Sequence, residues 1–384
     1  MPNKKKVLII CFKDIKASRR TYRQIQALKN EYEVHTIGYS SSEVEGVYYY
    51  EAKPAFKKMS FVEKVYQAFF FLIGAYNAAY SKIYRFEETV QALQGKQFDL
   101  VIVHDLKPYP LLDKLKINAP VILDAHEFYF DRGGGTLVNR LLLDRFDAYL
   151  SKKYFQNQQY VITVGEWIAD QYRKMLPRAR VEVVTSAADF VDTVPSPVQE
   201  NKIRIIHHGA ADPHRKTHLM IELADYLDER FEVDLMLVCT SEPFVPYFNQ
   251  LKEMCAQRKN VRIIPPVGPM EVIPFSNQYD IGLYIISPDC KNNFYSLPNK
   301  FFEYIQARLM LAVSPNPEMK KIIEDNSLGI VADNFSPQAM ANALNNISAT
   351  QIQNCKSNAN KAAKELSAGT QMQKLKDMIS DALR

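Results

Sequence analysis

The run that decides the fold is APVILDAH, residues 119–126. Its apolar residues are consecutive, and polar ones gather only where it ends, at Asp124 and His126. An alternating pattern would mark a sheet with one wet face. A continuous run marks a strand covered on both faces, as in a parallel sheet. The same pattern recurs at KVLIICF (6–12), YEVHTIGY (32–39), FDLVIVHD (98–105), QYVITVG (159–165) and RVEVVTS (180–186). It returns in the second half at IRIIHHG (203–209), VDLMLVC (233–239), VRIIPPV (261–267), DIGLYII (280–286), MLAVS (310–314) and LGIVA (328–332). Helix-period segments lie between the runs, among them Ser18–Lys29, Arg215–Leu227, Pro298–Ala307 and Ser336–Ile347. Strand–helix alternation predicts a doubly wound α/β architecture.

Each half holds six such runs, separated by FVDTVPSPVQENK (190–202), where Pro195 and Pro197 stand among polar residues. This reads as a linker over 191–202. The expectation is an α/β protein of two Rossmann-like doubly wound domains facing a central cleft. Residues 1–190 form the first and 203–354 the second, and 355–384 is a Lys-rich helical segment that could return to the first. Ligands of such folds sit at the carboxyl ends of the strands.

The 384 residues are 24% charged and 47% hydrophobic, ordinary globular values that exclude disorder and fibrous repeats. Cys11, Cys239, Cys255, Cys290 and Cys355 are scattered, without CxxC or Cys/His metal spacing, so reduced thiols and a cytoplasmic location are expected. A net charge of +5 is too mild to imply nucleic acid. The start, MPNKKK, lacks the apolar stretch and cleavage site of a secretory signal. GxGxxG, Walker, GxSxG, HExxH and kinase-loop signatures are absent, which argues against nicotinamide, P-loop, hydrolase and zinc-protease readings.

Four places carry candidate chemistry. Asp124-Ala125-His126-Glu127, with Phe128-Tyr129 beyond, reads either as a ligand-contacting cluster or as a capping turn. His104-Asp105, ending the preceding strand, invites the same two readings, and Gly133-Gly134-Gly135 forms either a loop over the site or a plain surface connection. HHGAADPHRK (207–216) places Arg215 and Lys216 at an expected helix start, where cations oppose the macrodipole and an anionic ligand would compensate; a solvated basic turn is the alternative. His207 and His208 are adjacent on a strand and point to opposite faces, so no metal site is read there. In LPNKFFEY (297–304), Pro298 suits a first helical turn whose free amides would face an anion. Glu303 then either accepts from sugar hydroxyls or is a surface carboxylate facing Lys300.

In this order, the segments resemble retaining glycosyltransferases of the GT-B fold, family four. The histidine of DAHEFY (124–129) resembles the one that contacts the donor sugar. The basic pair of HHGAADPHRK resembles the groups that grip the donor diphosphate, beside Gly209. VRIIPPVGP (261–269) is similar to the turn that reads the nucleobase, here Pro266 and Val267. Ser296, Leu297, Pro298, Asn299 and Lys300 resemble the amide-rich loop at the phosphates, and Glu303 the ribose ligand. The resemblance implies His126, Glu127, Arg215 and Lys216 as catalytic residues, and Arg19, Asp105, Asp124 and Tyr129 toward an acceptor. It implies a nucleoside-diphosphate sugar as donor, most often of uridine diphosphate (UDP), with no cofactor and no metal required. A glycan or polyprenyl-linked acceptor in bacterial surface polysaccharide synthesis fits the same family. Three positions depart from it: Tyr295 stands where a first glutamate is common, Ala210 follows Gly209 in place of a basic residue, and Ser18-Arg19-Arg20 replace glycines of the first loop.

The aromatic stretch 61–84 is too interrupted by Glu63, Lys64, Gln67 and Asn77 to span a membrane. With Lys57, Lys58, Lys64, Lys82 and Arg85 it reads as an interfacial helix at anionic headgroups, or else as a buried helix of the first domain. Two other functions stay open. One is a sugar-nucleotide epimerase of similar shape, acting without acceptor. The other is a catalytically silent GT-B partner in a glycan-assembly complex.

Overall fold

All twelve apolar runs, most of them near-continuous, become strands of two parallel sheets in the computed structural model, which describes residues 4–54, 60–130 and 145–384. Gly133–Gly135 and Lys57 and Lys58 lie outside the described residues, as do the side chains of Lys64, Lys82 and Arg85.

The first sheet holds β1 (Lys6–Ile10), β2 (Glu33–Gly38) and β3 (Tyr48–Glu51); a separate two-residue ribbon pairs β4 (Lys53–Pro54) with β5 (Tyr84–Arg85). It continues with β6 (Leu100–His104), β7 (Val121–Ala125), β8 (Tyr160–Thr163) and β9 (Arg180–Val183), in the order β3-β2-β1-β6-β7-β8-β9. The second sheet holds β10 (Ile203–Ala210), β11 (Phe231–Val238), β12 (Val261–Ile264), β13 (Ile281–Tyr284), β14 (Met310–Val313) and β15 (Gly329–Val331), in the order β12-β11-β10-β13-β14-β15. In each sheet the chain leaves the central strand to one side and returns to its other side. The crevices at β1/β6 and β10/β13 are therefore the topological switch points, where doubly wound folds bind ligands. β3, the strand that the apolar pattern misses, is an edge strand whose YYYE residues are exposed or half-buried.

The chain divides into two compact units, Met1–Val184 with Met372–Arg384, and Thr185–Gln371. The division falls earlier than the expected linker, and 191–202 is part of the second unit. Proline and polar residues suggested a free connection there, but the segment is held at several points. Val191 accepts from Arg308 at 2.7 Å, the Ser196 hydroxyl donates to the Asn277 carbonyl at 2.8 Å, and the Val198 amide donates to Gln353 at 3.0 Å. The C-terminal segment is shared between the units. Helix Ala349–Ala362 lies within the second, and helix Ala368–Ala382 buries Met372, Leu375, Met378 and Ile379 among Val7, Ile9 and Leu100 of the first.

The first helix expected in the C-terminal half is broken. Residues 215–227 give a 3-10 turn Pro213–Arg215, one α turn Leu219–Glu222 and another 3-10 turn Leu223–Asp225. The Asp212 side chain accepts from the His214 amide, and Lys216 takes a left-handed conformation at φ 50°, so no regular helix starts at Arg215.

Lys356 is fully buried and donates to Asp280 at 3.3 Å, to the Tyr279 carbonyl at 2.7 Å and to Ser196 at 2.9 Å. Removing one partner strands the other charge without water. Lys356→Met should lower the unfolding free energy of the second unit by about 3–5 kcal/mol, read as a lower urea midpoint. An unchanged midpoint would show that the pair does not anchor residues 191–202.

Candidate functional site

In the first unit the functional residues collect where β6 and β7 end. Register places His104 beside Asp124. Helix Arg19–Leu28, which follows β1, buries Arg20, Thr21 and Gln24 against them. Asp124 has no exposed surface. Its carboxylate accepts from Arg20 Nε at 2.8 Å and Gln24 Nε2 at 2.6 Å, and Arg20 Nη2 lies at 2.8 Å. Burial alone would raise the Asp124 pKa, but Arg20, His126 and His104 outweigh it and hold the carboxyl well below the carboxylate range. His104 joins the group through Gln24 Oε1 at 2.9 Å and His126 Nε2 at 2.9 Å. Burial pushes its pKa down to about 3, and that of His126 down as well.

Of the residues expected here, Asp105, Asp124, His126 and Tyr129 do come together. Asp105 takes a left-handed conformation at φ 63°, which a short acidic side chain tolerates better than most. It receives the Tyr129 hydroxyl at 3.3 Å and the Lys13 ammonium at 3.6 Å. Glu127 is exposed and is tied through its carbonyl, which accepts from the Tyr172 hydroxyl at 2.7 Å. Arg19 is half-buried, and its neighbour Arg20 is the one that reaches Asp124. Arg20, Gln24, His104 and Lys13 are the additions to the expected set. The 3.6-residue phase of the first helix, with Arg20 and Gln24 one turn apart, was the signal that could have found two of them.

His104, Asp124 and His126 stand close enough together to ligate a metal ion. The donor set does not favour one. Asp124 is already occupied by a guanidinium and an amide, and Arg20 would repel a cation at its other side.

In the second unit the ends of β10 and β13 meet helix Asn299–Gln306, with Pro298 as its extended N-cap residue rather than in the first turn. Lys300 turns inward. Its ammonium lies 4.7 Å from the centre of the Tyr284 ring and 3.4 Å from His207 Nε2. His207 Nδ1 faces the Leu283 carbonyl at 3.0 Å and must donate to it, which leaves Nε2 to accept from Lys300. Among the described residues no carboxylate pairs with Lys300. Burial of the ammonium, then Arg215 nearby, drives its pKa well below the ordinary lysine value. A Cβ on Gly209, at φ 147°, would fall 2.7 Å from that ammonium, so the close approach requires glycine.

Arg215 reaches the Tyr284 hydroxyl at 3.5 Å, and Lys216 is held by Asp289 at 3.0 Å and Ser287 at 3.1 Å. The short turns there give no helix dipole, so the attraction for an anion rests on the cations. Glu303 is 4% exposed and lies 3.6 Å from His208, not toward Lys300; the surface-carboxylate reading is thereby overturned. The hydroxyl of Ser296 is buried without a hydrogen-bond partner among the described residues. Leu297 is buried and Asn299 exposed, while Pro266 and Val267 lie in the turn after edge strand β12.

Residues 17–191 match the model of the family described as Glycosyltransferase Family 4. No sequence among the curated proteins matches the chain. Solved structures match along its whole length. HepE from Anabaena, in complex with UDP and glucose, is 11% identical at a TM-score of 0.67, over 98% of this chain and 100% of that one. A glycosyltransferase from Rickettsia africae is 12% identical at 0.69, over 100% and 99%. A UDP-forming trehalose-phosphate synthase from Burkholderia vietnamiensis is 10% identical at 0.69, over 98% and 100%. The architecture is GT-B.

The buried histidines set an acid limit. Unfolded, His104 protonates below about pH 6.5, whereas the folded group resists until about 3. Between those values the unfolded state binds more protons, so stability falls as pH falls, by at most about 1.4 kcal/mol per pH unit for one such group. Urea titrations stepped downward from neutral pH should show this slope, and His104→Gln should flatten it. A wild-type stability flat across that window would contradict the burial.

Proposed function

We propose that this chain, of GT-B glycosyltransferase family-four type, is a retaining transferase that moves a sugar from a nucleoside-diphosphate donor, UDP being the favoured carrier, to a glycan or polyprenyl-linked acceptor. The observation that carries the reading is Lys300, a partly buried ammonium with an imidazole and an aromatic ring as neighbours and a basic Arg215 beside it. A diphosphate would supply the missing negative charge and would favour the protonated form of the lysine. Glycosyl transfer builds charge on that same diphosphate, so Lys300, Arg215 and Lys216 would stabilise the leaving group as it departs, without a metal. Glu303 beside His208 would take the ribose hydroxyls. His126 keeps the sugar-contacting role, and no protein nucleophile is assigned. The UDP complex of HepE supports the choice of base.

Helix Phe61–Leu72 supports a membrane-borne acceptor and a peripheral location on the cytoplasmic face, as in surface polysaccharide assembly. It buries Phe71 but exposes Val62, Val65, Tyr66, Phe69 and Leu72 by half or more. These positions recur at three- and four-residue spacing, one apolar face turned to solvent. The segment 53–85 holds six cations (Lys53, Lys57, Lys58, Lys64, Lys82, Arg85) against Glu63 alone, a surplus equal to the whole chain's +5. Among the described residues no helix is long and apolar enough to cross a membrane. The reading is therefore an interfacial helix.

Thermal-shift measurement across UDP, GDP, CDP and their sugar conjugates tests the donor. Ligand at a hundredfold excess over Kd stabilises the folded protein by about 2.7 kcal/mol. UDP should give the largest shift, and Lys300→Met and Gly209→Ala should each lose it. Lys300→Met should itself raise the unliganded Tm by a few degrees, because it removes a poorly solvated charge. A UDP shift that survives in both variants would remove the assigned site. Retention is read from the anomeric configuration of the product by NMR.

For the membrane, co-sedimentation with vesicles containing anionic phosphatidylglycerol should capture the protein, and neutral phosphatidylcholine vesicles should not. Phe69→Ser with Leu72→Ser should weaken capture about tenfold or more, in line with the apolar area removed. Equal binding to both vesicle types, or no effect of the double variant, would end this part of the reading.

A further inference from the structure

The polar end of the first sheet contains a chain of hydrogen bonds whose directions are fixed from one end. Asp124, ionised and paired with Arg20, can only accept. Gln24 therefore turns its amide nitrogen to Asp124, at 2.6 Å, and its oxygen to His104 Nε2, at 2.9 Å. An oxygen can only accept, so the proton of His104 is on Nε2 and its Nδ1 carries a lone pair. That lone pair faces His126 Nε2 at 2.9 Å, which must then carry the proton of the second ring. His126 Nδ1 is left as an acceptor, and the group that meets it is the Lys13 ammonium at 3.5 Å. Each step follows from the one before, with the ionised carboxylate and two neutral imidazoles as the starting conditions. The two rings stand nearly perpendicular, at 82°, so an in-plane N–H of one meets the other at its edge.

We propose that Gln24 and His104 are positioning residues that lock His126 in the Nε2–H form, so that its Nδ1 lone pair is offered to a hydroxyl or ammonium donor. This rests on the reading of His126 as the sugar-facing histidine, and it sharpens that reading: His126 accepts a hydrogen bond from the ligand rather than donating one. The groups facing the two rings are Lys13, Arg20, Asp105, Asp124 and Gln24. Lys13 itself is shared with Asp105 at 3.6 Å, so a substrate hydroxyl can take its place at Nδ1 without leaving the ammonium unpaired.

Long-range proton–nitrogen NMR on the full chain, labelled with nitrogen-15 histidine, reads the tautomers directly at neutral pH and without substrate. Each ring is assigned by its own single-site variant. The expected wild-type result is an unprotonated Nδ1 on both His104 and His126. Gln24→Met removes the oxygen that orders His104, and His126 Nδ1 should move toward the average of two tautomers. His104→Gln, whose amide oxygen can still accept from His126 Nε2–H, should keep the His126 signal, whereas His104→Leu should lose it. Turnover should follow the same ranking: a kcat about tenfold or more lower for Gln24→Met and His104→Leu, largely restored in His104→Gln, with donor KM little changed. A protonated Nδ1 on wild-type His126, or a His126 signal indifferent to Gln24→Met in a folded variant, would overturn the relay. Expected tautomers in a protein that turns over no nucleotide sugar would leave the relay standing and refute the proposed transferase reaction instead.

Discussion

A carboxylate without exposed surface is the constraint from which the first unit's polar end is built. Asp124 stays ionised there because Arg20 lies in bidentate contact and Gln24 adds a further donor. Isolated, such a charge would cost several kcal/mol and would neutralise itself. The requirement reaches back into the sequence: the helix after β1 must bring an arginine and a glutamine to one face, a turn apart, at the depth of the β7 end. That need also accounts for the first loop. Ser18-Arg19-Arg20 open that helix, and the Arg20 guanidinium is spent on Asp124 and the Val184 carbonyl.

The second unit solves the opposite problem differently. Lys300 is driven inward by its place on a helix whose other residues, Phe301, Phe302, Tyr304 and Ile305, all pack into the core. It meets no carboxylate among the described residues. Tyr304 in turn lies flat against Gly282, where any side chain on β13 would collide with its ring, so the helix sits close to the sheet and cannot back away from β10. The ammonium is thereby pressed toward Gly209. One unit neutralises its buried charge internally, and the other leaves a buried amine without a carboxylate partner among the described residues.

The strands were readable because burial on both faces leaves a mark that needs no tertiary knowledge: consecutive β-branched and aliphatic residues. β3 left no such mark because Tyr48–Glu51 holds no aliphatic residue and all four positions are exposed or half-buried. The helix expected from Arg215 failed for a local reason, since Asp212 bonds the His214 amide and Lys216 turns left-handed; periodicity further on could not reveal that break. Site residues were legible by position, at strand ends, but not by partner. Arg19 and Arg20 are equivalent in composition and differ only in helical phase. Glu303 fits an i,i+3 pair with Lys300 on paper, and only the packing of the helix shows that both side chains are drawn inward to different histidines.

Ala210 leaves the carboxyl end of β10 without a cation of its own, and a neighbouring helix supplies one. A basic residue right after Gly209 would stand at the carboxyl end of β10. Ala210 brings no cation there. Lys300 brings one from the neighbouring helix, and its ammonium occupies the space over Gly209 that a longer side chain on β10 would contest. The positive charge at this end of β10 thus comes from the helix and not from the strand. This placement has a consequence for the helix end. With Lys300 as the second helical residue, its charge opposes the dipole of helix Asn299–Gln306, and the unfavourable pairing persists because burial against Tyr284 and His207 holds the side chain in place. Tyr295 has no equivalent repair, since a phenol offers one donor where a carboxylate offers two acceptors. Near it the Ser296 hydroxyl is buried without a hydrogen-bond partner among the described residues.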